Sequence, residues 1–215
     1  MFKNILGRNI EENDWLIQAV VPSNKGATSF SLQGSWVPKT TDLRFFAQSN
    51  HKIKSKEDVC GKAISPVTLI SDNGKIIKAN IDTVNALFFD IDKVTKKPVS
   101  LLLQALKKSK VAHILYSTFS NTDDIKSFRL IFPMSDQISS SKYLEIWSYV
   151  SRDLGDIVDQ QCKHVSRQWL PPSAPYCRDV EHCIVNGNVL DLDKICFELQ
   201  EEIEERLNNR KLKCK

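Results

Sequence analysis

The chain has 215 residues, 41% hydrophobic and 26% charged, with a formal net charge of +4. Such a composition suits one globular domain, or one with an appendage, and its mild positive balance permits a nucleic-acid partner without demanding one. No apolar run approaches the roughly 20 residues of a span, so no membrane-spanning helix is expected. Met1 to Asp14 also lacks a signal peptide's apolar stretch and cleavage site, so a cytoplasmic location is expected.

Residues 1–60 carry mixed periodicity. Glu11 to Val21 reads as a short helix ending at Pro22, and Gly26 to Phe46 as strands and loops. Val67–Ile70 and Lys75–Ala79 flank Asp72-Asn73-Gly74, the signature of a tight hairpin turn. Val84–Ile91 is a continuous apolar run, as in a buried strand. Pro98 to Lys108 follows as a helix, with Pro early and apolar residues at Leu101, Leu102, Ala105 and Leu106. Val111–Tyr116 and Phe128–Phe132 read as strands, the second stopped by Pro133. Ser139 to Leu154 is an amphipathic helix, and short strands are expected near Ile157–Val158 and Arg167–Leu170. Ile184 to Leu190 has a second Asn-Gly turn and reads as a hairpin, and Leu192 to about Lys213 is a charged terminal helix. The order is that of an α+β fold around a mostly antiparallel sheet. It divides into an N-terminal module (1–66), a core (67–190) and the C-terminal helix (191–215).

Phe88-Phe89-Asp90-Ile91-Asp92 carries the most chemistry. Residues i and i+2 of a strand share a face, so Asp90 and Asp92 project together from the end of an apolar strand. Two adjacent carboxylates repel unless a cation lies between them, and hard Mg²⁺ or Mn²⁺ prefers such oxygen ligands. Asp159 ends a similar apolar-to-acid junction, Asp156-Ile157-Val158-Asp159, and is the candidate third ligand; the plain alternative is a turn or helix cap. On the strand around Phe128, Ser127 and Arg129 share a face with Ile131, while Phe128, Leu130 and Phe132 form an apolar face that packs on helices. Arg129 suits a triphosphate, with Ser127 assisting, and Arg167 is a second clamp beside His164. The six cysteines are scattered and read as free thiols. Cys162, His164, Cys177, His182 and Cys183 could bind zinc, but they form no paired Cys-x-x-Cys knuckles, so no zinc site is expected.

Phe88-Phe89-Asp90-Ile91-Asp92, then Ser127-Phe128-Arg129, then Ile157-Val158-Asp159 resembles the three ordered motifs of the archaeo-eukaryotic primase superfamily. The phrases Tyr116-Ser117-Thr118-Phe119-Ser120 and Ser166-Arg167-Gln168-Trp169-Leu170-Pro171 are similar to flanking segments of plasmid and phage replication primases. The resemblance covers about residues 67–175. It implies an RRM-like antiparallel catalytic sheet with helices on one face, preceded by an N-terminal α/β module. It makes Asp90, Asp92 and Asp159 the catalytic ligands of a two-metal site. Ser127, Arg129, Arg167, His164, Ser117 and Ser120 become nucleotide contacts. The sequence departs from the family at Arg129, where the second motif usually has His.

Three functions follow. The first is a DNA-dependent primase or polymerase that transfers nucleotides from NTP or dNTP to a 3′-hydroxyl on a single-stranded DNA template, with a replicative helicase as a candidate partner. Lys93, Lys96, Lys97, Lys107, Lys108 and Lys110 are candidate backbone contacts. The second is a replication initiator or DNA-binding module on the same fold without turnover. The third is a haloacid-dehalogenase-type phosphatase, because Asp90-Ile91-Asp92 is followed by Thr95, although that threonine falls one residue late.

Overall fold

The computed structural model describes residues 1–2, 4–23, 36–71 and 74–213, with side chains as far as Asn209. The strands are β1 (Leu6–Asn9), β2 (Leu16–Pro22), β3 (Trp36–Asp42), β4 (His51–Lys52), β5 (Val67–Leu69), β6 (Ile81–Thr95), β7 (His113–Ser117), β8 (Ile125–Ser139), β9 (Ser173–Ala174), β10 (His182–Val185) and β11 (Asn188–Leu190). The helices are α1 (Leu43–Gln48), α2 (Lys96–Ser109), α3 (Tyr143–Leu154) and α4 (Leu192–Lys213). No helix of the described residues is long and apolar enough to cross a membrane.

The fold is α+β. Its main sheet runs β1-β11-β8-β6-β5, with β7 also on β8 and β10 on β7. All pairs in it are antiparallel except β11 with β8. β6 and β8 are long and pair along most of their length, which makes them the backbone of the sheet. Their alternation sorts two faces. Phe89 stacks on Trp147 of α3 at 5.1 Å and meets Phe132 edge-on at 5.9 Å. Phe88 points the other way and stacks on Trp169 at 5.1 Å. Both faces are covered, and Leu87, Phe88, Phe89 and Ile91 are all buried. That is why β6 reads as an unbroken apolar run.

Several elements differ from the sequence expectation. Glu11–Val21 holds only a 3₁₀ turn (Glu12–Trp15), then β2, whose β-branched residues pair with β3. The expected hairpin at 67–79 does not form among the described residues, and Asp72 and Asn73 lie outside them. Val67–Leu69 pairs instead with β6, and Lys75–Ala79 is not a strand. Of the stretch 26–46, residues 26–35 also lie outside the described ones, and Leu43–Gln48 is helical, capped by the Asp42 side chain. β8 runs through Pro133, which is tolerated because its partner Ala86 lies at a register shift where a ladder donor is dispensable. Ile157 closes a 3₁₀ turn rather than a strand, and Arg167–Leu170 contributes one bridge, Trp169 to Ile64. The 184–190 segment is not a hairpin, because β10 pairs with β7 while β11 pairs with β1 and β8. Gly187 serves close approach instead: a Cβ there would lie 2.2 Å from the Lys110 carbonyl oxygen. Helices lie on both faces, since Phe46 of α1 meets Tyr116 edge-on on the Trp169 face, opposite α3.

Candidate active site

A cavity of about 650 Å³ opens on the Trp169 face. Asp90, Asp92 and Asp159 all line it, together with Lys56, Thr118, Phe119, Arg129, His164, Arg167 and Gln168. The three aspartates expected to act together are therefore brought to one wall.

β6 explains how. Beyond Val84 it has no strand neighbour on the β5 side among the described residues, so its carbonyls there need other donors. Trp147 Nε1 donates to the Phe88 carbonyl at 3.1 Å, and the Asp159 amide donates to the Asp90 carbonyl at 2.9 Å. That second bond delivers Asp159 beside Asp90. Asp159 also caps a 3₁₀ turn (Gln160–Lys163), its Oδ1 accepting from the Gln161 amide at 2.9 Å. The plain reading of Asp159 as a cap and the functional one are thus both present in one residue.

Cys162, fully buried at the end of that turn, lies between two carboxylates. Its thiol donates to Asp159 Oδ2 at 3.5 Å, and Asp90 Oδ2 lies 3.8 Å from the same sulfur. Burial, then the charges of Asp90 and Asp159, push the thiol up to about 12, so it stays a proton donor at neutral pH.

Arg129 stands directly across from Asp90 in the β6–β8 register. Its Nε lies 3.6 Å from Asp90 Oδ1, its Nη1 donates to the Leu170 carbonyl at 2.6 Å, and its guanidinium sits 5.5 Å from the Trp169 ring centroid. Burial disfavours this cation, but Asp90 and Tyr116 outweigh burial and hold its pKa above the usual value. Arg167 is more open, 40% exposed in its side chain, with Nη2 4.0 Å from Asp90 Oδ2. Lys56 adds a third cation from the segment before β5.

The expected serines behave differently. Ser127 is buried and does not line the cavity; its hydroxyl donates to Asp92 Oδ1 at 2.8 Å. Ser117 is buried and accepts from the Glu181 amide at 2.9 Å. Ser120 is not among the lining residues, whereas its neighbours Thr118 and Phe119 are. His164 lines the cavity. Lys107 and Lys108 lie in the last turn of α2, where they complement the helix dipole.

Oxygen donors on one wall are the chemistry a hard divalent ion selects. As the side chains stand, no three acid, thiol or imidazole groups among the described residues are gathered tightly enough to hold one ion. The wall is one of carboxylates balanced by arginines. One buried donor on it, Gln168 Nε2, has no hydrogen-bond partner among the described residues, which suits a site that meets a polar ligand.

Sequence reading missed Lys56, Phe119, Cys162 and Gln168. Lys56 comes from a segment without clear periodicity, and Cys162 reads as an ordinary buried thiol until its two neighbours are seen.

A family model described as the VapE N-terminal domain matches residues 31–203. No curated protein matches the chain. Among solved structures, the AEP domain of the Cyanophage S-2L Primase-Polymerase (PrimPol) is similar over 86% of this chain and 90% of that chain, at 14% identity and a TM-score of 0.49.

Proposed function

The chain belongs to the VapE N-terminal domain family, and for this member we propose a DNA-dependent primase–polymerase that transfers nucleotides to a 3′-hydroxyl on a single-stranded DNA template. The observation that carries the reading is the shared wall: Asp90, Asp92 and Asp159 line one cavity with Lys56, Arg129 and Arg167. The ordered motifs around these residues, which resemble those of archaeo-eukaryotic primases, support the same reading.

In this proposal Asp90, Asp92 and Asp159 would converge from their shared wall to hold Mg²⁺ or Mn²⁺. The chemistry a divalent ion would supply there is a lowered pKa for the attacking hydroxyl and charge neutralisation on the departing pyrophosphate. Arg167 and Lys56, the more open cations, bind triphosphate oxygens. Arg129 holds Asp90 in place through their pairing and is itself anchored by the Leu170 carbonyl and Trp169. Phe119 offers a ring on which a base can stack. Cys162, kept protonated, steadies the carboxylates of Asp90 and Asp159.

A second reading, a DNA-binding initiator without turnover, is favoured by Arg129, which occupies the place of the family's usual His and directs its charge to Asp90. The phosphatase reading loses support, because β6 continues through Asp90 and Asp92 to Thr95 with an antiparallel neighbour instead of ending in a nucleophile loop.

Incubation with single-stranded DNA, labelled nucleotides and Mg²⁺ or Mn²⁺, with and without an annealed primer, separates these readings. The expected result is product that lengthens with time and disappears in the Asp90→Ala, Asp92→Ala double variant. Product without a supplied primer identifies a primase. DNA binding with no product in either metal selects the initiator.

A further inference from the structure

β6 carries a bulge at the place where its acids face the cavity. Ile91 pairs with Phe128 and Val94 with Lys126, so Asp92 and Lys93 together oppose the single residue Ser127. The extra residue is absorbed by Lys93, whose φ of 56° is left-handed, a conformation L side chains rarely adopt. A bulge re-aims the side chain next to it, and here that side chain is Asp92. Simple alternation therefore does not fix where the Asp92 carboxylate points.

Ser127 does. Its hydroxyl donates to Asp92 Oδ1 at 2.8 Å and accepts from the Lys93 amide at 3.2 Å, so one atom holds both residues of the bulge. Its backbone is fixed as well, with its amide donating to Asn121 Oδ1 at 3.1 Å and its carbonyl accepting from the Thr118 amide at 3.0 Å. The residue is 1% exposed and does not line the cavity. Its only hydroxyl proton is already given to Asp92.

We propose that Ser127 is a positioning residue for the metal site: it orients the Asp92 carboxylate and locks the left-handed bulge at Lys93, and it does not contact the nucleotide's phosphates. The proposal rests on the reading of Asp90, Asp92 and Asp159 as metal ligands. Partners that orient a metal-binding carboxylate commonly change affinity by roughly ten- to a hundredfold when removed.

The test is Mn²⁺ binding by calorimetry, without nucleotide or DNA, in wild type, Ser127→Ala, Ser127→Thr and Asp92→Asn. Ser127→Ala is expected to weaken Mn²⁺ about tenfold, approaching Asp92→Asn, and Ser127→Thr, which keeps the hydroxyl, to restore binding to within about twofold. Hydrogen exchange at the Lys93 amide provides a readout independent of metal: it is slow in wild type and faster in Ser127→Ala. A direct phosphate contact predicts the opposite pattern, with Mn²⁺ binding and Lys93 exchange unchanged in Ser127→Ala and only the nucleotide KM raised; that result overturns the proposal and leaves the metal site standing. A folded wild type that binds no Mn²⁺ overturns the metal-site reading and this proposal with it.

Discussion

Two side chains converge on the Leu170 carbonyl beside the candidate site: Tyr116 Oη donates at 2.9 Å and Arg129 Nη1 at 2.6 Å. Burial, only partly offset by the nearby Arg129 charge, pushes the Tyr116 hydroxyl from 10.0 up to about 12. Between those values the folded chain keeps a proton that the unfolded chain has lost, so stability falls as pH rises through that window, and below it Tyr116 adds no pH dependence. The accumulated loss is about 2 to 3 kcal/mol. Urea unfolding at pH 7, 10 and 11.5 should show this decline in wild type and a shallower one in Tyr116→Phe. The residual slope in the variant belongs to other buried groups, including Tyr143, whose pKa burial also raises. At pH 7 the same variant should cost only about 1 kcal/mol, because Leu170 keeps Arg129 as a donor. At this scale the sequence reveals residue types better than assignments. Asp90 and Arg129 are legible because alternation places them on one face, and Asp159 because it ends an apolar-to-acid junction; Asp92 is legible as a residue type, but the bulge at Lys93, not alternation, sets its direction. Ser127 and Ser117 are not legible, since a hydroxyl can face substrate or support a neighbour, and only three-dimensional contacts decide which.

β6 is the element on which the site depends, and what completes its free edge decides whether Asp90 and Asp159 meet. Trp147 contributes there twice, by stacking on Phe89 and by donating to the Phe88 carbonyl. Trp147→Ala should cost about 3 to 5 kcal/mol, as large core truncations do. Trp147→Phe keeps most of the stack but leaves the Phe88 carbonyl without that donor, and should cost about 1 to 3 kcal/mol. Denaturant midpoints of the two variants check the ordering; equal losses would mean the hydrogen bond, not the ring, dominates. α2 and α3 are visible in the sequence because their helical periodicity is sustained, β6 because it is an unbroken apolar run, and α4 because it is a long charged stretch free of Gly and Pro. The expected Asn-Gly hairpin at 184–190 fails because its two halves pair with strands remote in sequence, β7 on one side and β1 and β8 on the other, whereas Val67–Leu69 pairs with β6, the next strand along the chain, and not with 75–79.

At the scale of the whole molecule, residues 1–66 and 67–190 share strands and core. β1 pairs with β11, β4 with β9, and Ile64 bridges Trp169. Phe2 packs edge-on against Phe132 at 5.3 Å on the α3 face, while the Ser65 hydroxyl donates to the Arg167 carbonyl at 3.0 Å on the cavity face. The first segment thus reaches both sides of the sheet, and Lys56 from it lines the cavity. A chain beginning at residue 67 would leave Trp169 without the Ile64 bridge that fixes it, and Trp169 in turn supports Phe88, Arg129 and Arg167. It would also uncover apolar surface on both faces at once, a loss no local repacking can absorb. We therefore expect the 67–215 fragment to bind a hydrophobic dye such as ANS, to lack a cooperative thermal transition, and to bind no Mn²⁺. A fragment that melted cooperatively and bound Mn²⁺ like the full chain would instead make residues 1–66 an accessory to a self-sufficient core. Loss of Mn²⁺ binding without loss of the cooperative transition would confine their role to holding Trp169 and Arg167 against Asp90.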